Sequence, residues 1–315
     1  MILVTGATGF VGRQLIERLM ADGRHVRCLL TEEKAVNLPW SNPPEVVIGD
    51  LLDEEALFRA VTGVHTIIHL QSGQWWGRIR DLERIELVGT RNLIAAGRAA
   101  RVGRIMTISQ LGASTSSAYM LLRIKGMVEE QVRSSGLAYT IIRAGLIFGD
   151  DDAFVNHIAM TMRTTPFIFL MPGRGEVVLH PLYIDDLIEA IVRSLESIDI
   201  VDTTVDFGGP EYITLEDLIR TVMRVSGIYR FIIPVAPYAM RWIAAIYSRI
   251  FRRSLVTPQW LDILATNRTA PLGNAFNYFG IQPRRFEDTL LTYMPGKGYF
   301  WPTFRYMLRR RPKGI

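Results

Sequence analysis

Apolar residues fall into two rhythms along this chain. Short apolar runs at Ile2–Val4, "HVRCLL", "EVVIGDLLD" with a turn at Gly49-Asp50, "TIIHL", "RIMTIS" and "LAYTIIRAGLIFG" with its exit loop predict buried strands. Between them apolar residues recur at helical spacing. Leu15, Ile16 and Leu19 precede an Asp22-Gly23 stop, a helix starts at Glu54, and "ERIELVGTRNLIAAGRAA" is long and periodic. Strands alternating with helices predict a parallel sheet covered on both faces, an α/β Rossmann doubly wound fold. After Gly149 the rhythm loosens. "TPFIFLMPGRGEVVLHPLYIDDLIEAIVRSL" predicts a turn at Pro172-Gly173, a short strand and a helix starting near Asp185. "TTVDFGGPEYITLEDLIRTVMRVSG" predicts a strand, a turn and a helix capped by Thr214, with Asp217 three residues on. From Tyr229 the pattern reads as helical. The expected division is a Rossmann domain of residues 1–150 and 176–205, with a smaller, mainly helical lobe of 151–175 and 206–315.

Composition narrows the setting. Of 315 residues, 49% are hydrophobic and 21% charged, which excludes a disordered chain. A single cysteine, Cys28, rules out a disulfide framework and suits a reducing compartment. The first strand begins at Ile2, so no signal peptide is expected and a cytoplasmic protein is. The net charge is +5, but Lys297, Arg305, Arg309, Arg310, Arg311 and Lys313 stand in a tail without an acid, and the rest sums to −1. The basic balance thus belongs to the C-terminus, and no nucleic-acid partner is expected.

That C-terminus carries a second pattern. Between Asp217 and Asp262 there are seven arginines and no acid. In "YAMRWIAAIYSRIFRR", helical spacing puts Arg241, Arg249, Arg252 and Arg253 on one side and Met240, Ile243, Tyr247, Ile250 and Phe251 on the other. Too interrupted to span a bilayer, the segment could lie in a membrane surface at its inner face, meet a membrane protein complex, or pack its apolar side on the lobe. The tail "GYFWPTFRYMLRRRPKG" favours an anionic interface. The fold itself is not expected to need the last residues.

Candidate chemistry begins at "TGATGFVGR". Gly6, Gly9 and Gly12 follow a strand and open a helix, with Thr8, Phe10, Val11 and Arg13 among them. Glycines allow a tight turn and close approach to a pyrophosphate, and the helix N-terminus offers free N–H groups and the positive end of its dipole. A tight turn without ligand is the alternative. No metal-ligand spacing, G-x-S-x-G elbow or P-loop occurs.

The motifs "TGATGFVGRQL", "GDLLD", "IIHL", "VGTRNLIAAG", "RIMTIS", "IIRAGLIFG", "HPLYIDDLIEAI" and "FGGPEYITLEDL" occur in the order seen in extended and atypical short-chain dehydrogenase/reductases. The chain resembles that superfamily over residues 1 to about 227, and most of all its atypical branch, which includes NmrA-like proteins and the nucleotide-binding accessory subunit of respiratory complex I. The resemblance implies that Asp50 and Leu51 contact adenine, that His69, Leu70 and Gln71 pass beside the ribose and nicotinamide, that Ser109 ends a strand beside the reaction site, and that Lys125 bonds the nicotinamide ribose. Asp50 as a turn residue and His69 as a satisfied core histidine are the plainer alternatives. An acid after the second strand would select NAD and a basic group NADP. Neither stands at Leu30 or Thr31. Arg13 could reach a 2′-phosphate although Glu32 and Glu33 oppose it, so NADP(H) is favoured over NAD(H).

Active members carry a tyrosine four residues before the lysine, where both share a helix face and the lysine favours the phenolate. Here that position is Leu121. Tyr119 lies six residues before Lys125 and would serve only if the helix began after it and the chain bent back. Glu86 replaces the family's Asn, Gln110 follows Ser109, and Ala144 replaces a Pro. Two functions follow. One is a nucleotide-binding accessory, sensor or assembly protein. The other is a reductase, epimerase or isomerase acting on a lipophilic quinone, isoprenoid or pigment, with Glu86 as substitute acid and Trp75 and Trp76 as pocket walls. Transcriptional control finds no helix-turn-helix signal.

Overall fold

A computed structural model gives the structure of residues 1–72, 82–251 and 253–308. Trp75, Trp76, Arg252, Arg309, Arg310, Arg311 and Lys313 lie outside these residues. Seven strands form one parallel sheet: β1 (Ile2–Thr5), β2 (Val26–Leu30), β3 (Glu45–Ile48), β4 (Thr66–His69), β5 (Arg104–Gln110), β6 (Ala138–Ala144) and β7 (Thr203–Phe207). Their order is β3-β2-β1-β4-β5-β6-β7. Direction reverses between β1 and β4, where the chain leaves one half of the sheet for the other, and such a switch point opens a crevice beyond the strand ends.

Adjacent apolar residues serve opposite faces because side chains alternate along a strand. Val4, Ile68, Met106 and Ile142 join the core under helix α1 (Phe10–Ala21). Leu3, Ile67, Ile105 and Ile141 join the other, under α2 (Glu54–Val61) and α3 (Gly89–Ala99). The Asp53 carboxylate accepts from the Ala56 N–H at 3.0 Å, which starts α2. Helix α4 (Met120–Arg133) follows β5.

Beyond β6 the chain departs from one long strand. Gly145 lies so close to the His180 carbonyl that a Cβ would sit 2.1 Å from it, and its N–H donates to Phe207. Leu146–Phe148 then leaves the main sheet and pairs in parallel with Pro181–Tyr183. The remaining helices are α5 (Phe154–Thr164), α6 (Ile184–Glu196), α7 (Leu215–Ser226), α8 (Pro237–Ile250), α9 (Pro258–Ile263), α10 (Asn274–Phe279), α11 (Phe286–Tyr293) and α12 (Phe300–Leu308). As the sequence predicts, the Thr214 hydroxyl caps α7 by accepting from the Asp217 N–H at 3.1 Å.

Three expectations need correction. The region after Tyr229 is not all helix. Phe231–Val235 is a strand paired in parallel with Ile168–Pro172, as suits two isoleucines, a valine and a proline that cannot continue a helix. Helix α8 buries only Met240 and Ala244, so its apolar side does not pack wholly on the lobe. Helix α12 is structural: Tyr299 just before it and Thr303 and Met307 within it are buried, and Tyr306 meets the His157 ring edge-on at 4.9 Å.

Candidate functional site

The glycine loop sits at the switch point. Gly6 has φ +73°, the left-handed region that glycine tolerates, and a Cβ there would lie 2.7 Å from the backbone of Leu70 and Gln71 after β4. A Cβ on Gly12 would lie 2.3 Å from the Gly6 carbonyl, so this glycine lets α1 close on the loop. Gly9 differs. Its Cβ would meet only the Gly6 carbonyl, at 3.2 Å, and its outer side is open. Close backbone leaves no room for a side chain at two of these glycines, while the third is open on its outer side.

A recess of about 270 Å³, counted out to its open mouth, continues from the loop. Gly6, Thr8, Asp50 and Gln71 line it, together with Leu29, Leu30, Thr31, Gly49 and Lys34. Asp50 is also a turn residue, since its carboxylate accepts from the Leu52 N–H at 2.7 Å. Lys34 is the residue that the sequence reading missed. A single helical turn, Glu32–Ala35, follows Thr31 and exposes Glu32 and Glu33 while aiming Lys34 at the recess. Burial lowers the pKa of the Lys34 ammonium against the opposing pull of Glu33. The missed signal was the turn's spacing: the basic group stands three residues past Thr31 rather than beside it.

Other expected residues are placed elsewhere. Arg13 turns from the recess, its guanidinium on Asp151 at 3.2 Å and its carbonyl under the Trp40 indole N–H. Leu51 is buried against Gly89. Phe10 and Val11 stand half-buried in the first turn of α1, and Leu70 packs on the core beneath it. The His69 ring is a satisfied core histidine. It meets the Thr5 hydroxyl at 2.7 Å through Nδ1 and the Thr90 hydroxyl at 3.0 Å through Nε2. Thr90 spends its one hydroxyl hydrogen on the Glu86 carbonyl, so Nε2 donates to Thr90 and Nδ1 accepts from Thr5. Burial pushes its pKa down to about 4.

One residue past Gln71, a buried polar cluster closes the site. Lys125 Nζ lies 3.1 and 3.0 Å from the two Glu86 oxygens and 3.2 Å from the Ser72 hydroxyl, and Ser72 donates in turn to Glu86. Glu86 is 1% exposed and Lys125 5%. A five-residue π-helical turn, Arg84–Val88, leads into α3, and Glu86 faces inward in it on the row of Thr90 and Leu93, where a solvated helix residue was the plainer expectation. One turn toward the start of α4, Leu121 is 2% exposed and packs in the apolar core with Ile124 and Phe148.

Ser109 is not part of this cluster. Its hydroxyl donates to Glu129 at 2.6 Å, and Glu129 is held by Arg143 at 2.9 and 2.7 Å and by Arg133 at 2.6 Å. Lys125 and Ser109, expected side by side, belong to separate networks one helical turn apart. Tyr119 precedes α4 with extended backbone, so the helix does begin after it. Lys125 has Ser72 and Glu86 as its hydrogen-bond partners among the described residues, and Tyr119 is not one of them. Among the described residues no group of His, Cys, Asp and Glu could hold a metal.

Residues 6–167 match the NAD(P)H-binding protein family. Over 250 residues, 78% of this chain, the sequence is 28% identical to the mitochondrial NADH dehydrogenase [ubiquinone] 1 alpha subcomplex subunit 9 of Mus musculus, of which the match spans 66%. Over 145 residues, 45% of the chain, it is 33% identical to the photosystem II assembly factor Ycf39 of Cyanophora paradoxa, of which the match spans 44%. The chain thus spans less than two thirds of the length of these relatives. The fold is shared with a UDP-glucose 4-epimerase of Thermus thermophilus solved with NAD, at TM-score 0.70 and 20% identity over 93% of this chain and 97% of that one.

Proposed function

Because the chain belongs to the NAD(P)H-binding family of the extended and atypical short-chain dehydrogenase/reductases, we propose that it is a nucleotide-binding accessory or assembly protein of a membrane complex, one that holds NADP(H) without turning over a substrate. The observation that carries this reading is the pairing of Lys125 with Glu86 beside a buried Leu121. A lysine that activates a tyrosine must keep its charge available to a phenolate. Here the charge is met by a carboxylate and the tyrosine's place is filled with core. Glu86 makes a poor substitute acid, because between an ammonium and a hydroxyl it is placed as an acceptor. This weakens the alternative, a reductase or epimerase on a lipophilic substrate.

In this reading residues 1–150 and 176–205 carry the nucleotide and residues 151–175 and 206–315 carry the partner surface. Gly6, Gly9 and Gly12 hold the pyrophosphate, Thr8, Asp50 and Gln71 the adenosine side, and Lys34 the 2′-phosphate. Lys34 faces the recess, and no carboxylate forms an ion pair with it among the described residues. The cytoplasmic side of a membrane suits such a partner, and no helix among the described residues is long and apolar enough to cross one. The test is to titrate the purified chain with NADPH and NADH, and to assay a panel of aldehydes and ketones with wild type and Leu121→Tyr. Nucleotide binding without turnover in either form is expected. Robust wild-type turnover that Lys125→Ala abolishes would replace this reading with the enzyme.

A further inference from the structure

The second lobe exposes an apolar ridge. On α8, Tyr238, Trp242, Ile246 and Ile250 follow one another at four-residue spacing, which lines them up along the helix. Trp242 is 72% exposed, Ile246 56% and Ile250 68%, while Met240 and Ala244 on the inner side are buried in the core. Helix α12 repeats the arrangement. Trp301 and Leu308 are 77% and 69% exposed, with Phe304 and Arg305 between them, while Thr303 and Met307 face inward. The ends of the two helices are tied together, since the Arg253 N–H donates to the Met307 carbonyl at 3.4 Å. Isolated apolar residues at a surface need no explanation, but two rows of them on helices tied at their ends do.

Charge decides what covers them. Neither helix carries an acidic residue, and none stands anywhere between Asp217 and Asp262 or after Asp288. Arg249 on α8 and Arg305 on α12 are exposed, and Arg253 sits at the junction, its guanidinium 5.8 Å from the Tyr306 ring. Protruding tryptophans and isoleucines with arginines at their flanks match a layer of anionic headgroups over acyl chains: the apolar ridge enters the boundary while the cations stay at phosphate level. Helix α8 has 14 residues, about 21 Å at 1.5 Å per residue, which fits lying in the interface and falls short of a hydrocarbon core of about 30 Å.

We propose that the α8–α12 face docks this protein on an anionic lipid bilayer, with Trp242, Ile246, Ile250, Trp301 and Leu308 inserted and Arg249 and Arg305 on the headgroups. The proposal deepens the membrane-partner reading above by naming lipid as the contact and the surface that makes it. It locates the attachment in folded helices rather than in a basic tail.

The experiment is co-sedimentation of the full chain with vesicles of phosphatidylcholine alone and of phosphatidylcholine mixed with phosphatidylglycerol, at low and high salt. NADPH titration of the same samples runs alongside. Wild type should bind the anionic vesicles, more weakly at high salt, with a blue shift of tryptophan emission. Trp242→Glu with Ile246→Glu should weaken that binding about tenfold or more, because two charges would enter the apolar layer. Both positions are solvent-exposed, so nucleotide affinity and melting temperature should not change. Arg249→Glu with Arg305→Glu should weaken binding and flatten its salt dependence. Equal vesicle binding by the Trp242/Ile246 variant would overturn the proposal. So would a wild type that ignores anionic vesicles at low salt; if that wild type is a dimer which the variant dissolves, a second copy covers the ridge. Loss of NADPH binding with vesicle binding intact would instead overturn the nucleotide reading and leave the docking face standing.

Discussion

Gly6, Gly9 and Gly12 look alike in the sequence and do different work. Gly6 and Gly12 are fixed by backbone 2.7 Å and 2.3 Å from where a side chain would begin, whereas Gly9 is bounded only by a carbonyl at 3.2 Å. Gly9→Val should therefore keep its melting temperature and lose nucleotide binding in calorimetry, while Gly12→Val should lose both; unchanged affinity in Gly9→Val would misplace the pyrophosphate. Lys34 sets the second residue-scale expectation. Replacing a lysine that meets a 2′-phosphate removes a charge-assisted contact, so Lys34→Ala should lower NADPH affinity about tenfold while leaving NADH nearly unchanged. Equal losses for both would put the 2′-phosphate elsewhere. The glycines were legible because their strand–turn–helix context is local. Lys34 was not, because its aim depends on a single helical turn after β2. The settings of the His69 and Ser109 side chains were not legible for a related reason: a strand-end residue can face either the crevice or the core, and only the partners Thr5, Thr90 and Glu129, distant in sequence, decide which.

At the scale of elements, the alternation of strands and helices was readable because parallel strands are apolar on both faces. Boundaries marked by a cap were also readable. Thr214→Ala should cost about 1 kcal/mol in denaturant melts by removing the cap of α7, and a change near zero would show the cap idle. Two features were hidden. Glu86, in the π-helical turn Arg84–Val88, stands four residues before the buried Thr90 and seven before the buried Leu93, so it continues the inward row of α3, and its charge made a solvated position the plainer reading. Helix α12 read as part of a dispensable basic tail because Arg305 and the arginines after the helix stand out more than its inward row. Yet Tyr299 donates to Asn156 at 3.2 Å, and Met307 is buried. A chain ending after Gly296 should lose about 3–6 kcal/mol from these two side chains alone. It should show a lower denaturant midpoint even where nucleotide binding survives. A midpoint like that of the full chain would restore the tail reading.

Across the whole molecule, buried titratable groups couple stability to pH. His69 lies under the switch point. His157 lies on α5 against α12, where it meets the Leu255 carbonyl at 3.2 Å, and both are pushed by burial from the usual 6.5 to about 4. The His180 ring, also lowered by burial, joins the Gly209 carbonyl at 2.8 Å to the Ala270 N–H at 3.1 Å, and so ties the chain after α9 to the loop after β7. A histidine kept neutral by folding binds its proton in the unfolded chain first. Its stabilising effect is complete above the unfolded value near 6.5 and is lost as pH falls toward 4, by about 3 kcal/mol for each of His69 and His157. Asp152 acts in the opposite sense. Burial raises its carboxyl to about 7 against the N–H groups of Val155 and Gly149, so it favours the fold at low pH and loses that effect as pH rises toward 7. At pH 5, unfolding should take up about two protons at His69 and His157 and release about one at Asp152, with His180 adding to the uptake, so acid weakens the fold overall. Denaturant melts at pH 7 and pH 5 should show the loss, and His157→Gln should reduce the slope of stability against pH by about one proton. A slope that His157→Gln leaves unchanged would mean that this ring is protonated in the native lobe, and that the contact between α5 and α12 is built differently from the arrangement described above.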